Sequence, residues 1–339
     1  MRKIIVGFLL LAVCTRTQAQ QKPHYTQYIL NQYILNPALT GIENYTDIRV
    51  SHRHQWVGVQ DAPVTTYLTV HTPINKTDYH TTATSFDVPG ENPRGKRYWE
   101  EYTAPEPHHG IGMQIINDRT GPLNYFSAYG TYAYHIALSV RTSLAAGFGA
   151  GLTQISLNSS KLNFGTVQVD PAVYNNGVIN TIKPDFMAGL YLYSADYFLG
   201  VSAQQIIPQK VSFSDNTVKT SEGKLVPHVF ATAGYRFLIG EDWNLIPSVM
   251  VKYVQPLPTQ IDINAKLQYL DKAWIGASYR YEDGFAGMVG MHIGGKFNIG
   301  YAYDYTTSGL NIVSKGSHEI IVGFLLGNKY DDGCPKNVW

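Results

Sequence analysis

Residues 261–269 read Ile-Asp-Ile-Asn-Ala-Lys-Leu-Gln-Tyr, so that apolar and polar side chains alternate along the whole stretch. Residues 297–305, Phe-Asn-Ile-Gly-Tyr-Ala-Tyr-Asp-Tyr, follow the same period of two. Because successive side chains of a β-strand point to opposite faces, each stretch would present one apolar face and one small or polar face. Both stretches therefore predict β-strands that separate an apolar environment from a wet one.

This alternation recurs along the chain and predicts an all-β fold of about 14 strands (12–16), an even number as bacterial single-chain barrels require. Most of them approach the roughly 9–11 residues that a tilted strand needs to cross the hydrocarbon of a membrane. The predicted strands are 47–56, 64–71, 109–117, 125–136, 140–157, 185–194, 196–206, 227–239, 242–254, 259–270, 272–281, 285–293, 296–304 and 317–326.

The composition favours a membrane barrel over a soluble β-sandwich. Charged residues make up 15% of the chain, well below the roughly 25% of an average soluble protein. A sandwich would carry its charges on the outward face, whereas few charges lie on either face of the predicted strands. The net charge of +1 provides no field for nucleic acid. We therefore expect a transmembrane antiparallel β-barrel over residues 47–327, placed as a multi-pass protein in the outer membrane and surrounded by its lipid.

Residues 1–19 have the organisation of a secretory signal peptide. Two basic residues precede an apolar run of ten, and Thr17 and Ala19 occupy the cleavage-site positions. Ten residues are too few to span a bilayer as a helix. Cys14 leaves lipidation open as an alternative, although Val13 stands where a lipoprotein signal carries a small residue.

The lengths of the connections predict the orientation of the barrel. Short turns follow most even-numbered strands and long loops follow the fifth, seventh and thirteenth, as expected when both termini lie in the periplasm. The exception is the long connection at 72–108, which is either a periplasmic insertion or contains a further strand pair around Tyr79–Phe86. Residues 328–339 form a tail beyond the last predicted strand.

Residues 20–46 precede the first strand and contain no clear alternation, so we expect a plug segment inside the barrel. Their apolar residues suit a short helix ended by Pro37. These residues are Tyr28, Ile29, Tyr33 and Ile34. Gly147, Gly149 and Gly151 lie inside a predicted strand with no helix after it, which favours space for this plug over a phosphate-binding loop.

Two charged residues are predicted to meet where the barrel closes. Arg53 and Gln55 share a strand face that would point into the lumen, with Trp56 pointing outward at the membrane interface. Glu319 lies between the outward residues His318 and Ile320, so it would also point inward. We therefore hypothesise that Arg53 and Glu319 pair across the seam between the first and last strands.

Two blocks near the ends of the chain carry a family resemblance. The first contains Asn36, Pro37, Ala38 and Gly41, followed by Arg53, Gln55, Trp56 and Pro63, and the second contains Asp304, His318 and Glu319. Their order and spacing resemble the PorP/SprF family of outer-membrane proteins of the type IX secretion system of Bacteroidetes. The resemblance implies that these positions are structural or belong to the plug.

The resemblance also implies a function and partners. Family members support the export or surface retention of cargo proteins, some of them gliding adhesins. The expected partners are the secretion machinery, a secreted cargo protein, or both, with a periplasmic protein among them. As an alternative, the fatty-acid channel family carries a similar Asn-Pro-Ala block, which leaves open a plugged channel for small hydrophobic solutes.

No pattern of catalytic residues is visible, and we expect neither enzyme activity nor a cofactor. The sequence has no nucleophile elbow and no local arrangement of Ser, His and Asp as a triad. His52 with His54, and His108 with His109, lack accompanying Cys or carboxylate ligands at metal-binding spacing.

The stretch 96–102 within the long connection mixes charged and aromatic residues. Such mixtures suit a protein interface, because aromatic side chains anchor a partner and charges orient it. Tyr98, Trp99 and Tyr102 are therefore candidate partner contacts, and a solvated loop is the alternative.

Overall fold

The computed structural model describes residues 25–76, 95–161, 178–211, 223–270, 272–293 and 296–327. Within them are 17 strands and one short α-helix, α1 (Lys96–Glu101). The strands are β1 (Thr46–His54), β2 (Val64–Ile74), β3 (His108–Thr120), β4 (Leu123–Ser139), β5 (Thr142–Asn158), β6 (Val178–Ser194), β7 (Tyr197–Gln204), β8 (Gln209–Val211), β9 (Gly223–Leu225), β10 (His228–Tyr235), β11 (Phe237–Ile239), β12 (Trp243–Val254), β13 (Gln260–Tyr269), β14 (Ala273–Arg280), β15 (Gly284–Ile293), β16 (Phe297–Thr306) and β17 (Ser317–Leu326).

The wall is a closed antiparallel barrel of 14 strands, as the sequence predicts. β1 pairs with β17, and β10 pairs with both β7 and β12, so that the strands form a closed ring. β10 and β11 are two halves of one wall strand, and β8 and β9 form a separate hairpin. We call the end where β1 finishes the upper end of the barrel, and the end where β1 begins and β17 finishes the lower end.

The alternation of side chains gives the wall an apolar outer face and a mixed inner face, where polar side chains lie beside buried apolar ones, such as Trp274, that pack against residues 25–35. Ile263 on the outward face is 56% exposed, whereas its neighbour Asn264 on the inward face is 2% exposed. Outward side chains such as Phe297, Ile299 and Tyr301 are similarly exposed and apolar. A band of this kind matches the hydrocarbon of a bilayer, and the wall therefore crosses the membrane with its strands. Among the described residues, no helix has the length and apolar character needed to span a membrane.

Pro247 of β12 interrupts the pairing of the wall on one side only. β12 keeps a continuous register with β13 through Pro247↔Ala265. On the other side of β12, pairing with β10 stops after Gly234↔Ser248, and pairing with β11 resumes at Phe237↔Leu245. Proline has no N–H to donate to a ladder, so the wall strand opposite it is interrupted between β10 and β11.

Residues 25–45 lie inside the barrel and are almost entirely buried. They form three 3₁₀ turns, Gln27–Ile29, Gln32–Ile34 and Pro37–Leu39, rather than the single short helix that the sequence suggested. Pro37 also does not end a helix. It is the first residue of the third turn, where its missing N–H would have no partner in any case.

The connection after β2 lies at the lower end of the barrel. Its described part contains α1, and residues 77–94, with the possible strand pair around Tyr79–Phe86, lie outside the described residues. The expected signal peptide (1–19) and tail (328–339) lie outside them as well.

Candidate functional site

A buried ion cluster joins the first and last strands, as the sequence hypothesis states. Arg53 and Glu319 are directly opposite in the β1–β17 register. Arg53 Nη1 donates to Glu319 Oε2 over 3.1 Å, and Arg53 Nη2 contacts Asp304 Oδ2 of β16. Glu319 is fully buried and Arg53 is 3% exposed. Two carboxylates thus share one guanidinium away from bulk water.

The beginning of the inner segment completes this cluster. The Thr26 N–H donates to Glu319 Oε2 over 2.8 Å, and the Thr26 hydroxyl donates to Asp304 Oδ2 over 2.7 Å. Arg53 Nη1 donates to the same hydroxyl over 2.7 Å, and Gln27 Nε2 donates to the Glu319 carbonyl over 2.7 Å. Residues of the inner segment, β1, β16 and β17 therefore share one hydrogen-bond network around the buried charges, in which Arg53 Nε and Asp304 Oδ1 make no hydrogen bond.

Above the cluster, the barrel opens at its upper end into a vestibule of about 580 Å³. Its charged lining residues are Arg53, Asp118, Arg280, Glu282, Asp283 and Asp304. Arg280 pairs with Asp262 over 3.3 Å and with Asp283 over 3.0 Å. The lining therefore carries four carboxylates against two guanidinium groups, and each guanidinium is already engaged.

The Asn-Pro-Ala block binds the opposite wall at mid-height. Asn36 Nδ2 donates to the Leu190 carbonyl of β6 over 3.0 Å, and Asn36 Oδ1 accepts from the Ala38 N–H over 2.9 Å. Gly147 of β5 faces the block, and a Cβ there would lie 2.5 Å from the backbone of Pro37 and Ala38. The motif thus ties the inner segment to the wall and requires glycine where the two backbones touch.

Of the three glycines predicted to accommodate the inner segment, only Gly147 faces it closely. Added Cβ atoms at Gly149 and Gly151 would first meet wall residues, Met187 and Ala128 respectively. The prediction of space for the segment is therefore correct for Gly147, whereas the other two glycines accommodate neighbouring strands.

The inner segment leaves the lumen near the lower end. His135 contacts the Thr40 carbonyl through Nε2 over 2.9 Å, and the Gly41 N–H donates to His71 Nδ1 over 3.2 Å. Gly41 has a φ of +74°, which favours glycine, and it packs against the backbone of Gly110. These contacts fix the point at which the chain turns into β1.

Four further motif residues lie at the upper rim. The Gln55 N–H donates to the Pro63 carbonyl over 2.9 Å, which closes the loop after β1. Trp56 does not extend the strand outward, because β1 ends at His54, and it lines the vestibule instead. Its N–H donates to a serine hydroxyl of β17, Ser317 Oγ, over 3.1 Å. His318 contacts the Tyr301 hydroxyl on the outer face over 2.7 Å.

The candidate partner contacts lie at the lower end, where α1 packs against the barrel. The guanidinium carbon of Arg236 lies 5.6 Å from the centroid of the Trp99 ring, and Arg141 Nη2 donates to the Trp99 carbonyl over 2.5 Å. Tyr102 is 7% exposed. The side chain of Tyr98 lies outside the described residues. Trp99 thus attaches α1 to the barrel and Tyr102 is buried directly after the helix, while the role of these residues as partner contacts stays a prediction.

Sequence reasoning missed two parts of the site. Thr26 gives no signal of its own, because a threonine before a predicted plug has no reason to meet the last strand. The Asp262–Arg280 pair follows from alternation only once the β13–β14 register is known. Within the described part of the chain, no three His, Cys, Asp or Glu side chains form a group that could hold a metal ion.

The profile of the type IX secretion system membrane protein family PorP/SprF matches residues 17–324. The chain belongs to this family. The PorP/SprF match covers both terminal motif blocks and the described barrel up to residue 324, and with the barrel architecture it places the chain in the outer membrane. No curated protein sequence matches the chain.

Solved structures with a similar architecture are outer-membrane proteins and channels. The Acinetobacter baumannii outer membrane protein Omp33 is 8% identical, with a TM-score of 0.45, and the match covers 85% of this PorP/SprF chain and all of Omp33. A Pseudomonas aeruginosa FadL homologue is also 8% identical, with a TM-score of 0.44 and coverage of 85% and 92%. The CymD monoaromatic hydrocarbon channel is 10% identical, with a TM-score of 0.47 and coverage of 87% and 92%.

Proposed function

We propose that this PorP/SprF protein is a non-enzymatic component of type IX secretion. In this proposal the barrel is a rigid anchor that binds a cargo protein or a machinery protein, and residues 25–45 act as its plug. The observation that carries the proposal is the family match together with the position of the inner segment, which lies along the lumen from the ion cluster to the lower end.

The contacts of the inner segment favour a closed lumen over a conduit. The segment is bonded to the wall at three heights: at Glu319 near the top, at Leu190 in the middle and at His135 near the bottom. Opening a path would break all three sets of bonds and expose buried polar groups. The charged vestibule is also a poor entrance for a small hydrophobic solute, which argues against the channel alternative.

A partner surface at the lower end is favoured by the way α1 is held. Trp99 attaches the helix to the barrel, whereas Lys96 and Glu100 have side chains that are 64% and 65% exposed. Because α1 is already fixed to the barrel, a periplasmic protein that binds its charged side chains would cause a smaller loss of conformational entropy than one that binds a flexible loop.

Deletion of the gene distinguishes secretion from solute transport. We expect a defined set of surface proteins to disappear from the cell surface and to accumulate in the periplasm or be degraded. Quantitative proteomics of shaved surface peptides measures this set, with a strain carrying the restored gene as the control. An unchanged surface proteome combined with the failed uptake of one hydrophobic solute would establish the channel alternative instead.

Combining Lys96→Gln with Glu100→Gln on the exposed face of α1 should weaken binding of the periplasmic partner while the barrel stays folded. The change keeps the contacts that hold α1 on the barrel, so the lower end remains covered. Co-purification in mild detergent measures the partner, and the matched variant Asp61→Asn with Lys161→Gln removes a partly exposed ion pair at the upper end only. Retention of the partner in the first variant and its loss in the second would refute a periplasmic binding surface.

A further inference from the structure

The direction of the inner segment determines where the chain must enter the barrel. Tyr25 lies high in the lumen, where its ring meets Tyr67 of β2 edge to face at 5.4 Å between centroids. Tyr67 is the fourth residue from the upper end of β2, and Glu319, bonded to Thr26, is the third from the upper end of β17. The segment therefore starts beneath the vestibule and descends to Gly41.

The described residues leave one exit for the chain that precedes Tyr25. Their strands form a closed ring, and the lumen below Tyr25 is occupied by residues 26–45. We propose that the part of the chain before Tyr25 passes through the vestibule, so that the amino terminus of the mature protein emerges at the upper end. This inference does not depend on which partner the protein binds.

The distances make this route short. Arg53 is one residue below the upper end of β1, and Asp304 is two residues below the upper end of β16. At roughly 3.3 Å per strand residue, the base of the vestibule is only about 3–7 Å below the strand ends. Residues 20–24, which follow the expected cleavage site, can span about 17 Å when extended.

The charges of the vestibule and of this part of the chain are complementary. The vestibule has an excess of two carboxylates over guanidinium groups among Arg53, Asp118, Arg280, Glu282, Asp283 and Asp304. Residues 20–24 contain Lys22 and His24 and no acidic residue, and cleavage after Ala19 adds an α-ammonium group. The positive charges of residues 20–24 would therefore offset the net negative charge of the vestibule lining, whose two arginines are already paired.

This route separates the two ends of the mature chain. β17 ends at Leu326 at the lower end, opposite Thr46. The expectation that the amino terminus lies in the periplasm is then replaced by an amino terminus at the end of the barrel opposite the end of β17. An amino terminus at the upper end would be accessible to a surface partner of the cell.

Cysteine labelling of intact cells tests the route. The variant Gln21→Cys is made in a Cys334→Ser background, with Val313→Cys in the upper loop and Lys272→Cys in a lower turn as matched controls. All three are treated with a membrane-impermeant maleimide before and after permeabilisation of the outer membrane. We expect Gln21→Cys to label under the same condition as Val313→Cys, and labelling under the condition of Lys272→Cys overturns the proposal.

An epitope of ten residues between Gln21 and Lys22 covers the case in which the cysteine is shielded inside the vestibule. Antibody binding to this epitope should again follow an identical epitope placed after Val313, and heat-modifiable migration in gels shows that each variant is folded. Because each result is read against controls at both ends, it does not depend on which end faces outward. The route is refuted if the antibody binds this epitope only under the condition in which it binds an identical epitope at the lower end.

The charge argument has a separate readout. In Glu282→Gln combined with Asp283→Asn, the labelling rate of Gln21→Cys should increase several-fold, because the vestibule retains the segment less strongly. An unchanged rate would show that the acidic lining does not hold the segment.

Discussion

Replacing Gly147 by valine is expected to displace the Asn-Pro-Ala block from the barrel wall. An added Cβ at this position would lie 2.5 Å from the backbone of Pro37 and Ala38, which cannot move aside as a flexible side chain can. Overpacking of this kind costs about 1–3 kcal/mol even where side chains can adjust. We therefore expect rapid hydrogen exchange in residues 36–41, together with a measurable ion conductance in lipid bilayers where the wild-type protein is closed.

The matched control is Gly130→Val on the outward face of β4. An added Cβ at Gly130 meets nothing within 4 Å, so this variant adds the same side chain to the same barrel without touching the inner segment. It should retain slow exchange and remain closed. Equal exchange and conductance in the two variants would contradict the proposal that the block closes the lumen.

Replacing Arg53 by glutamine is the second large effect that we expect. The change leaves Asp304 and Glu319 buried without a cation, and the loss of one partner from a buried ion pair costs about 3–5 kcal/mol. Glu319→Gln should be milder, because Arg53 still faces the carboxylate of Asp304 and the charges then balance. Reversible unfolding by urea in lipid vesicles measures both variants against the wild-type protein.

The cluster also predicts that a simple charge exchange will not restore the barrel. Combining Arg53→Glu with Glu319→Arg places a new carboxylate beside Asp304 and a new cation beside the N–H donors of Thr26 and Gln27. The exchange variant should therefore remain as unstable as Arg53→Gln. Full recovery would show that Arg53 and Glu319 act as an isolated pair and that Asp304 and Thr26 contribute little.

Alternation was sufficient to predict the barrel wall from the sequence, because the outward face of the wall strands meets lipid, whereas most of their polar side chains lie on the inward face. Ile263 and Asn264 illustrate this difference between the two faces. The same reasoning gave the seam pair Arg53–Glu319, since both residues lie on inward faces of strands that closure must bring together.

The inner segment shows where sequence reasoning ended. Its apolar residues indicate burial but not the conformation, since three 3₁₀ turns and one helix bury similar surfaces. Its direction depends on contacts between residues far apart in the chain, such as Thr26 with Asp304. Trp56 was assigned outward for a related reason, because alternation fails once a strand has ended, and the end of β1 lies two residues earlier.

The bond between Thr26 and Glu319 has a consequence for assembly in the membrane. The two residues are 293 positions apart, so the Thr26 N–H finds its partner only after the last strand has been made and has reached β1. Contacts of such separation form late, because the loop between them must first be closed. A chain truncated before β17 would thus leave the seam open and would remove the partner of the Thr26 N–H and of the Gln27 side chain. Insertion of the last strand would then complete the wall and fix the interior in a single cooperative step.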